Sequence, residues 1–168
     1  MRHAVLLRAV NVGGTGRLAM ADLTALCRAA GFPDAGTFLA SGTVVLSSDR
    51  DEAAIRAALE PALAARLGAP VPVFVRSGAE MEEILAANPF PAADPSRVHV
   101  LFLQAPPDPG AIARARHRTD EELAPGRREI YLHTPSGIGR SRLRLPAMDE
   151  GTARNLNTVA RLAALTRG

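Results

Sequence analysis

The first 76 residues alternate apolar runs of strand length with apolar stripes of helix period, in an order that few folds accommodate. His3 to Val10 is a short apolar run closed by a Gly-rich turn, the pattern of a buried strand. Ala19 to Ala30 puts Met20, Leu23, Leu26 and Cys27 on one helical face, with Gly31 at its C-terminal cap and Phe32-Pro33 beyond. Thr37 to Ala40 and Thr43 to Ser47 read as strands joined tightly at Ser41-Gly42. Asp51 to Leu67 repeats Ile55, Leu59, Leu63 and Leu67 at i, i+4, with Asp49 or Asp51 as N-cap and Gly68 as stop. Pro61 inside it predicts a kink or a break. Val71 to Val75 is a fourth strand, with Pro72 at an edge or near its start. Strand, helix, strand, strand, helix, strand is the split βαβ pattern of a ferredoxin-like half.

The remainder, 77–168, partly echoes it. Ala79 to Ala87 is a helix ending at Asn88-Pro89-Phe90, and Arg97 to Leu103 is a strand. A Pro-rich turn at Ala105 to Gly110 opens a short expected helix through Arg116. Thr119 to Leu123 and Glu129 to His133 form a hairpin around Pro125-Gly126. A helix from about Asn155 to Leu165 closes the chain, with Leu156, Val159, Leu162 and Ala163 on its buried side.

At 168 residues the chain is one domain or two very small ones. Its 47% hydrophobic content suffices for a core, and with 4% aromatics and no Trp that core is Leu, Val and Ala. No run approaches the ~20 apolar residues of a membrane span, so no membrane association is expected. The N-terminus lacks the features of a signal peptide, which makes a cytoplasmic protein the expectation. Cys27 is the one cysteine, excluding an internal disulfide, and it reads as a small core residue. His3, His99, His117 and His133 show no metal-ligand spacing, so no metal is expected. His3, His99 and His133 fall in strands and should be satisfied within the sheets. No serine sits in a nucleophile elbow, and Glu82-Glu83 and Glu121-Glu122 read as solvated faces. Gly14-Thr15-Gly16-Arg17-Leu18-Ala19 matches the dinucleotide fingerprint between strand and helix. The next two strands form a hairpin, however, and the acidic residue for the ribose is missing, so no cofactor is expected. The turn could still offer amides to an anion.

The pI near 10.3 overstates the basic character: net charge is +3, and all 20 basic residues are Arg. Distribution says more. Residues 1–76 carry +2, 77–126 carry −4, and 127–168 carry +5. The last segment is where an anionic partner is suggested. It holds Arg140-Ser141-Arg142-Leu143-Arg144, which if extended sets three guanidinium groups on one face, suited to phosphate or carboxylate. Edge protection by charge is the competing reading. Arg154-Asn155-Leu156-Asn157-Thr158 opens the last helix, where Asn155 is an N-cap candidate.

Polar-glycine patches recur at the ends of the predicted elements, and together they resemble a bacterial family known as domain of unknown function 1697. The family's Leu-Arg-Gly-Ile-Asn-Val-Gly-Gly start is matched by Leu7-Arg8-Ala9-Val10-Asn11-Val12-Gly13-Gly14. Ser41-Gly42-Thr43-Val44-Val45 matches its Ser-Gly-Asn-Val-Val element. Asn88-Pro89-Phe90, His99 to Leu103, Tyr131, Gly137-Ile138-Gly139-Arg140-Ser141 and Arg154-Asn155-x-Asn157-Thr158-Val159 also fit. Thr43 and Ser136 stand where the family has Asn, Leu156 replaces a Trp, and the stretch from Ser141 to Arg154 is shorter. A ligand contacted at those positions elsewhere in the family would be held differently here, or not at all. The resemblance implies an α+β fold of two ferredoxin-like (split βαβ) subdomains, with antiparallel sheets packed against helices. It brings no activity.

The leading expectation is a binding protein for an anionic partner, either nucleic acid or a phosphorylated small molecule. The candidate binding residues are Arg8, Asn11, Gly13, Gly14, Ser41, Asn88, Arg140, Ser141, Arg142, Arg154, Asn155 and Asn157. Base stacking on the first sheet is not expected, because His3–Val10 and Thr43–Ser47 contain no aromatic residue. One alternative is an enzyme of unspecified reaction with its site between the subdomains, lined by Arg8, Asn11, Ser41, Asn88 and Ser141. In another, the patches serve only structure.

Overall fold

The computed structural model describes residues 1–8, 18–38 and 42–167. The expected turn at 9–17, with Asn11, Gly13, Gly14 and the Gly14–Ala19 motif's glycines, lies outside the described residues, as does Ser41. Among the described residues, four helices and two four-stranded antiparallel sheets make an α+β fold. The chain divides into two compact units, Met1–Met81 with Leu162–Gly168, and Glu82–Arg161.

The first unit runs β1 (Arg2–Leu7), α1 (Met20–Ala29), β2 (Gly36–Thr37), β3 (Thr43–Ser47), α2 (Glu52–Leu67) and β4 (Val73–Ser77). The sheet order is β2-β3-β1-β4, all antiparallel, which is the order a ferredoxin-like half requires. β1 sits centrally, pairing Val5 with Val44 on one side and Val75 on the other. Alternation then points Val5, Leu7, Val44, Leu46, Val73 and Val75 into a core closed by Leu23 and Cys27 of α1 and Ile55, Leu59 and Leu63 of α2. Burial pushes the Cys27 thiol up to about 11, so it behaves as a small hydrophobe.

Local chemistry bounds the helices. The Asp51 carboxylate accepts from the Ala54 N–H at 2.8 Å, starting α2, and Gly68 ends it at φ 75°. The helix runs unbroken through Pro61, so the break that this proline could have caused does not occur. Pro61 and Ala57 are both exposed, so water can serve the carbonyl that the missing N–H leaves free. The first unit extends past residue 76 and takes back the end of the chain. Arg2 Nη1 donates to the Leu165 carbonyl at 2.9 Å, and a Cβ at Gly78 would meet the Thr166 carbonyl oxygen.

The second unit is built on β5 (Val98–Phe102), β6 (Glu122–Pro125), β7 (Glu129–His133) and β8 (Thr152–Asn155). Two helices, α3 (Gly78–Ala86) and α4 (Leu156–Thr166), contribute to it. The order β6-β7-β5-β8 repeats that of the first sheet, strand for strand. The crossovers do not repeat: β5 to β6 and β7 to β8 are joined by turns and single 3-10 turns. The short helix expected up to Arg116 is therefore absent. Its last residue instead pairs with Arg144 as an isolated antiparallel bridge, which a helix would forbid. β8 was also not expected, because Arg154-Asn155 reads from sequence as a helix start.

One face of this sheet packs Leu101 and Ile130 against Leu103, Ala111 and Leu145. On the other face Tyr131 is buried and its hydroxyl donates to the Ile84 carbonyl at 2.6 Å. Burial, then the Glu129 charge, pushes its pKa up to about 12. Of the strand histidines, His3 Nε2 meets the Ser48 carbonyl and His133 Nδ1 meets Glu122 at 2.8 Å. His99 departs from expectation: its buried Nδ1 has no hydrogen-bond partner among the described residues. Burial without compensation pushes its pKa below the ordinary 6.5. The unfolded chain therefore takes up a proton near pH 6.5 that the folded chain refuses, so stability is lost as pH falls from 6.5 through the folded pKa. The melting temperature should fall between pH 7 and about pH 5.5, and His99→Leu should flatten that fall. Parallel pH profiles for the two proteins would refute the assignment.

Candidate anion-binding site

Arg140 falls outside the extended run expected to align Arg140, Arg142 and Arg144 on one face. Ile138–Arg140 is a 3-10 turn entered through Gly137 at φ 91°, and the Ser141 hydroxyl accepts from the Leu143 N–H at 3.2 Å. The 3-10 turn ends at Arg140, so alternation does not carry from Arg140 to Arg142. Only Arg144 finds a strand-like partner. Arg140 and Arg142 are exposed, and Arg140 borders a separate shallow hollow beside Arg97, Ser96 and Ser136.

Arg144 and Arg116 exchange both backbone hydrogen bonds at 2.8 Å, a directly opposed pair. Opposed residues on antiparallel chains place their side chains on the same side, with Cβ atoms about 5 Å apart. Two like charges so placed repel. Both arginines are exposed, and neither meets a carboxylate within 4 Å among the described residues. Their neighbours behave differently: Arg114 pairs with Asp108 at 2.9 Å, and Arg118 Nε donates to the Glu121 carbonyl at 2.6 Å.

The flanking chain explains why the pair forms. Leu145 and Ala111 are buried in one core, which anchors the segment after Arg144 and the segment before Arg116 side by side. Pro146 then starts the 3-10 turn Pro146–Asp149. His117 holds a left-handed backbone at φ 57°, turning the chain away immediately after the bridge. Together these segments wall a cavity of about 850 Å³ that includes Arg116, His117, Leu143, Arg144, Met148 and Asp149.

Asn88, Asn155 and Arg154 make bonds within the chain near their own positions. Asn88 Oδ1 accepts from the Phe90 N–H at 3.0 Å, closing a turn. Asn155 Oδ1 accepts from the Thr158 N–H at 2.9 Å, capping α4 as the sequence implied. Arg154 is buried; it donates to Thr152 Oγ1 at 2.6 Å and to the Ala153 carbonyl, and burial lowers its pKa to about 10. Arg8 lies in the first unit, its N–H on the Pro72 carbonyl. Asn157 is exposed on the first turn of α4.

Arg116 and His117 were missed by sequence reasoning. They belong to Arg114-Ala115-Arg116-His117-Arg118, four basic residues in five, inside a segment whose summed charge is −4. A charge average over fifty residues hides such a cluster; a window of five would have shown it.

Residues 1–131 match the model of a family described as a protein of unknown function, DUF1697. The chain belongs to that family. The fold resembles the solved structure of the conserved bacterial protein SP0830 from Streptococcus pneumoniae. The TM-score is 0.81 and the identity 22%, covering 99% of this chain and 98% of that one. No curated protein matches the chain.

Proposed function

We propose that this DUF1697 member is a cytoplasmic binding protein for an anionic partner, nucleic acid or a phosphorylated small molecule, held by Arg116 and Arg144. The observation that supports it is the opposed, exposed arginine pair without a carboxylate of its own among the described residues. Such a pair costs stability in the free protein and gains it when an anion bridges the two guanidinium forks. Of the surface first expected from Arg8, Asn11, Arg140, Arg142, Arg154 and Asn157, Arg154 is spent inside the fold, and the present reading rests on Arg116 and Arg144.

The test is fluorescence anisotropy of labelled single- and double-stranded RNA and DNA, with calorimetry of inorganic phosphate, at low and physiological salt. Arg116→Ala/Arg144→Ala should weaken whichever anion binds by about tenfold or more. Its melting temperature should equal or slightly exceed that of the wild type, since a like-charge contact disappears. Undiminished binding in the variant, or no anion bound by the wild type at low salt, sinks the proposal.

A further inference from the structure

We infer that the ligand of this site is a compact molecule joining a phosphate group to an apolar body, and not a nucleic-acid strand. The inference rests on the anion-binding reading above and concerns what surrounds the arginines. They stand at a cavity of about 850 Å³, within the ~300–1,000 Å³ of small-molecule sites, and not on an open ridge. Its wall carries the half-buried Leu143 and Met148 beside the charged groups, so an apolar body would remove their exposed surface from water.

Two observations argue against a strand. Single strands are held by stacking on exposed aromatic rings. Among the described residues no Phe or Tyr lines this cavity: Tyr131, Phe32, Phe74 and Phe102 are buried, and the half-buried Phe38 and Phe90 are not among its walls. Asp149 also lines the cavity. A carboxylate there repels any phosphate brought near it, so the wall suits one phosphate held at the arginines and not a run of them, and it can accept a hydrogen bond from an O–H or N–H elsewhere on a compact ligand. A phosphate dianion suits the remaining geometry, because it offers enough oxygens for one fork from each arginine.

The experiment is isothermal calorimetry of the full chain at low salt with three probes: inorganic phosphate, hexyl phosphate below its micellar range, and a twelve-nucleotide oligoadenylate. Hexyl phosphate should bind at least tenfold more tightly than inorganic phosphate. Leu143→Ser should remove most of that advantage, read as the ratio of the two affinities in the same variant. Arg116→Ala/Arg144→Ala should lose both. Equal affinities for the two phosphates would overturn the inference. Tighter arginine-dependent binding of the oligonucleotide would overturn it too, while leaving the anion-binding reading intact. If the wild type bound none of the three, that reading would fall with it.

Discussion

Gly151→Val should destabilise the protein by about 3 kcal/mol or more, lowering its melting temperature by about 10 °C. Gly151 is buried at the entry to β8, where Thr152 registers opposite Phe102 of β5. A Cβ at residue 151 would meet the Phe102 carbonyl oxygen, and it would stand 2.9 Å from Leu101 Cδ1 and from Leu103 Cδ2. The carbonyl belongs to the central strand of the sheet, so it cannot turn aside as a side-chain tip could. The remaining adjustment is for β8 to retreat from β5, which breaks the register of His99 with Asn155 and Leu101 with Ala153. The disturbance also reaches the cavity, since Asp149 lies just upstream, so anion binding should weaken together with stability. Gly36→Ala is the control: nothing lies within 4 Å of a Cβ there, and its effect should stay within about 0.5 kcal/mol. Thermal and urea melts of the three proteins suffice. A loss of under 2 °C for Gly151→Val would mean that β8 is not pinned where it is described.

The first unit was legible because its elements follow local rules. Ile55, Leu59 and Leu63 repeat at helical spacing between an Asp N-cap and a Gly stop, and β1 and β3 fall on their apolar runs, while β4 runs Val73–Ser77 in place of the expected Val71–Val75 and β2 covers only Gly36–Thr37. Hairpin spacing and helix placement then leave little freedom in sheet order. The second unit was only half legible. Ala111 to Arg116 has the composition of a helix, but Leu145 and Ala111 share a core and the bridge to Arg144 needs extended backbone. That tertiary contact overrides local propensity. β8 was hidden because it has four residues and runs directly into α4, so its polar members read as a cap. The arginine pair is further out of reach, for it joins two irregular segments by one non-local bridge, and no periodicity marks either partner. Asn88, Asn155 and Arg154 show the converse. They belong to the resemblance that revealed the family, yet each makes a hydrogen bond within its own few residues.

Arg76 should separate the contribution of volume from that of charge in the first unit. It is fully buried on β4, opposite Ala4 of β1, on the face that also carries Leu6 and Phe74. Its Nη1 donates to the Val75 carbonyl at 3.1 Å and lies 3.7 Å from Glu52 Oε1. Arg76→Ala removes a long side chain from a packed place and should cost about 3–5 kcal/mol. Arg76→Met fills most of the same space without a charge to desolvate. Glu52 keeps a third of its side chain exposed, so the abandoned carboxylate can turn to water. The Met variant should therefore lose less than about 1.5 kcal/mol. Glu52→Ala goes the other way: it leaves the guanidinium buried with one carboxylate fewer and should cost more than Arg76→Met, at about 2 kcal/mol. Urea denaturation of the three variants ranks them. If Met proved as damaging as Ala, the stabilisation would come from the hydrogen bonds of the guanidinium and not from the space it fills. The buried arginine would then be holding β4 in register through its polar contacts.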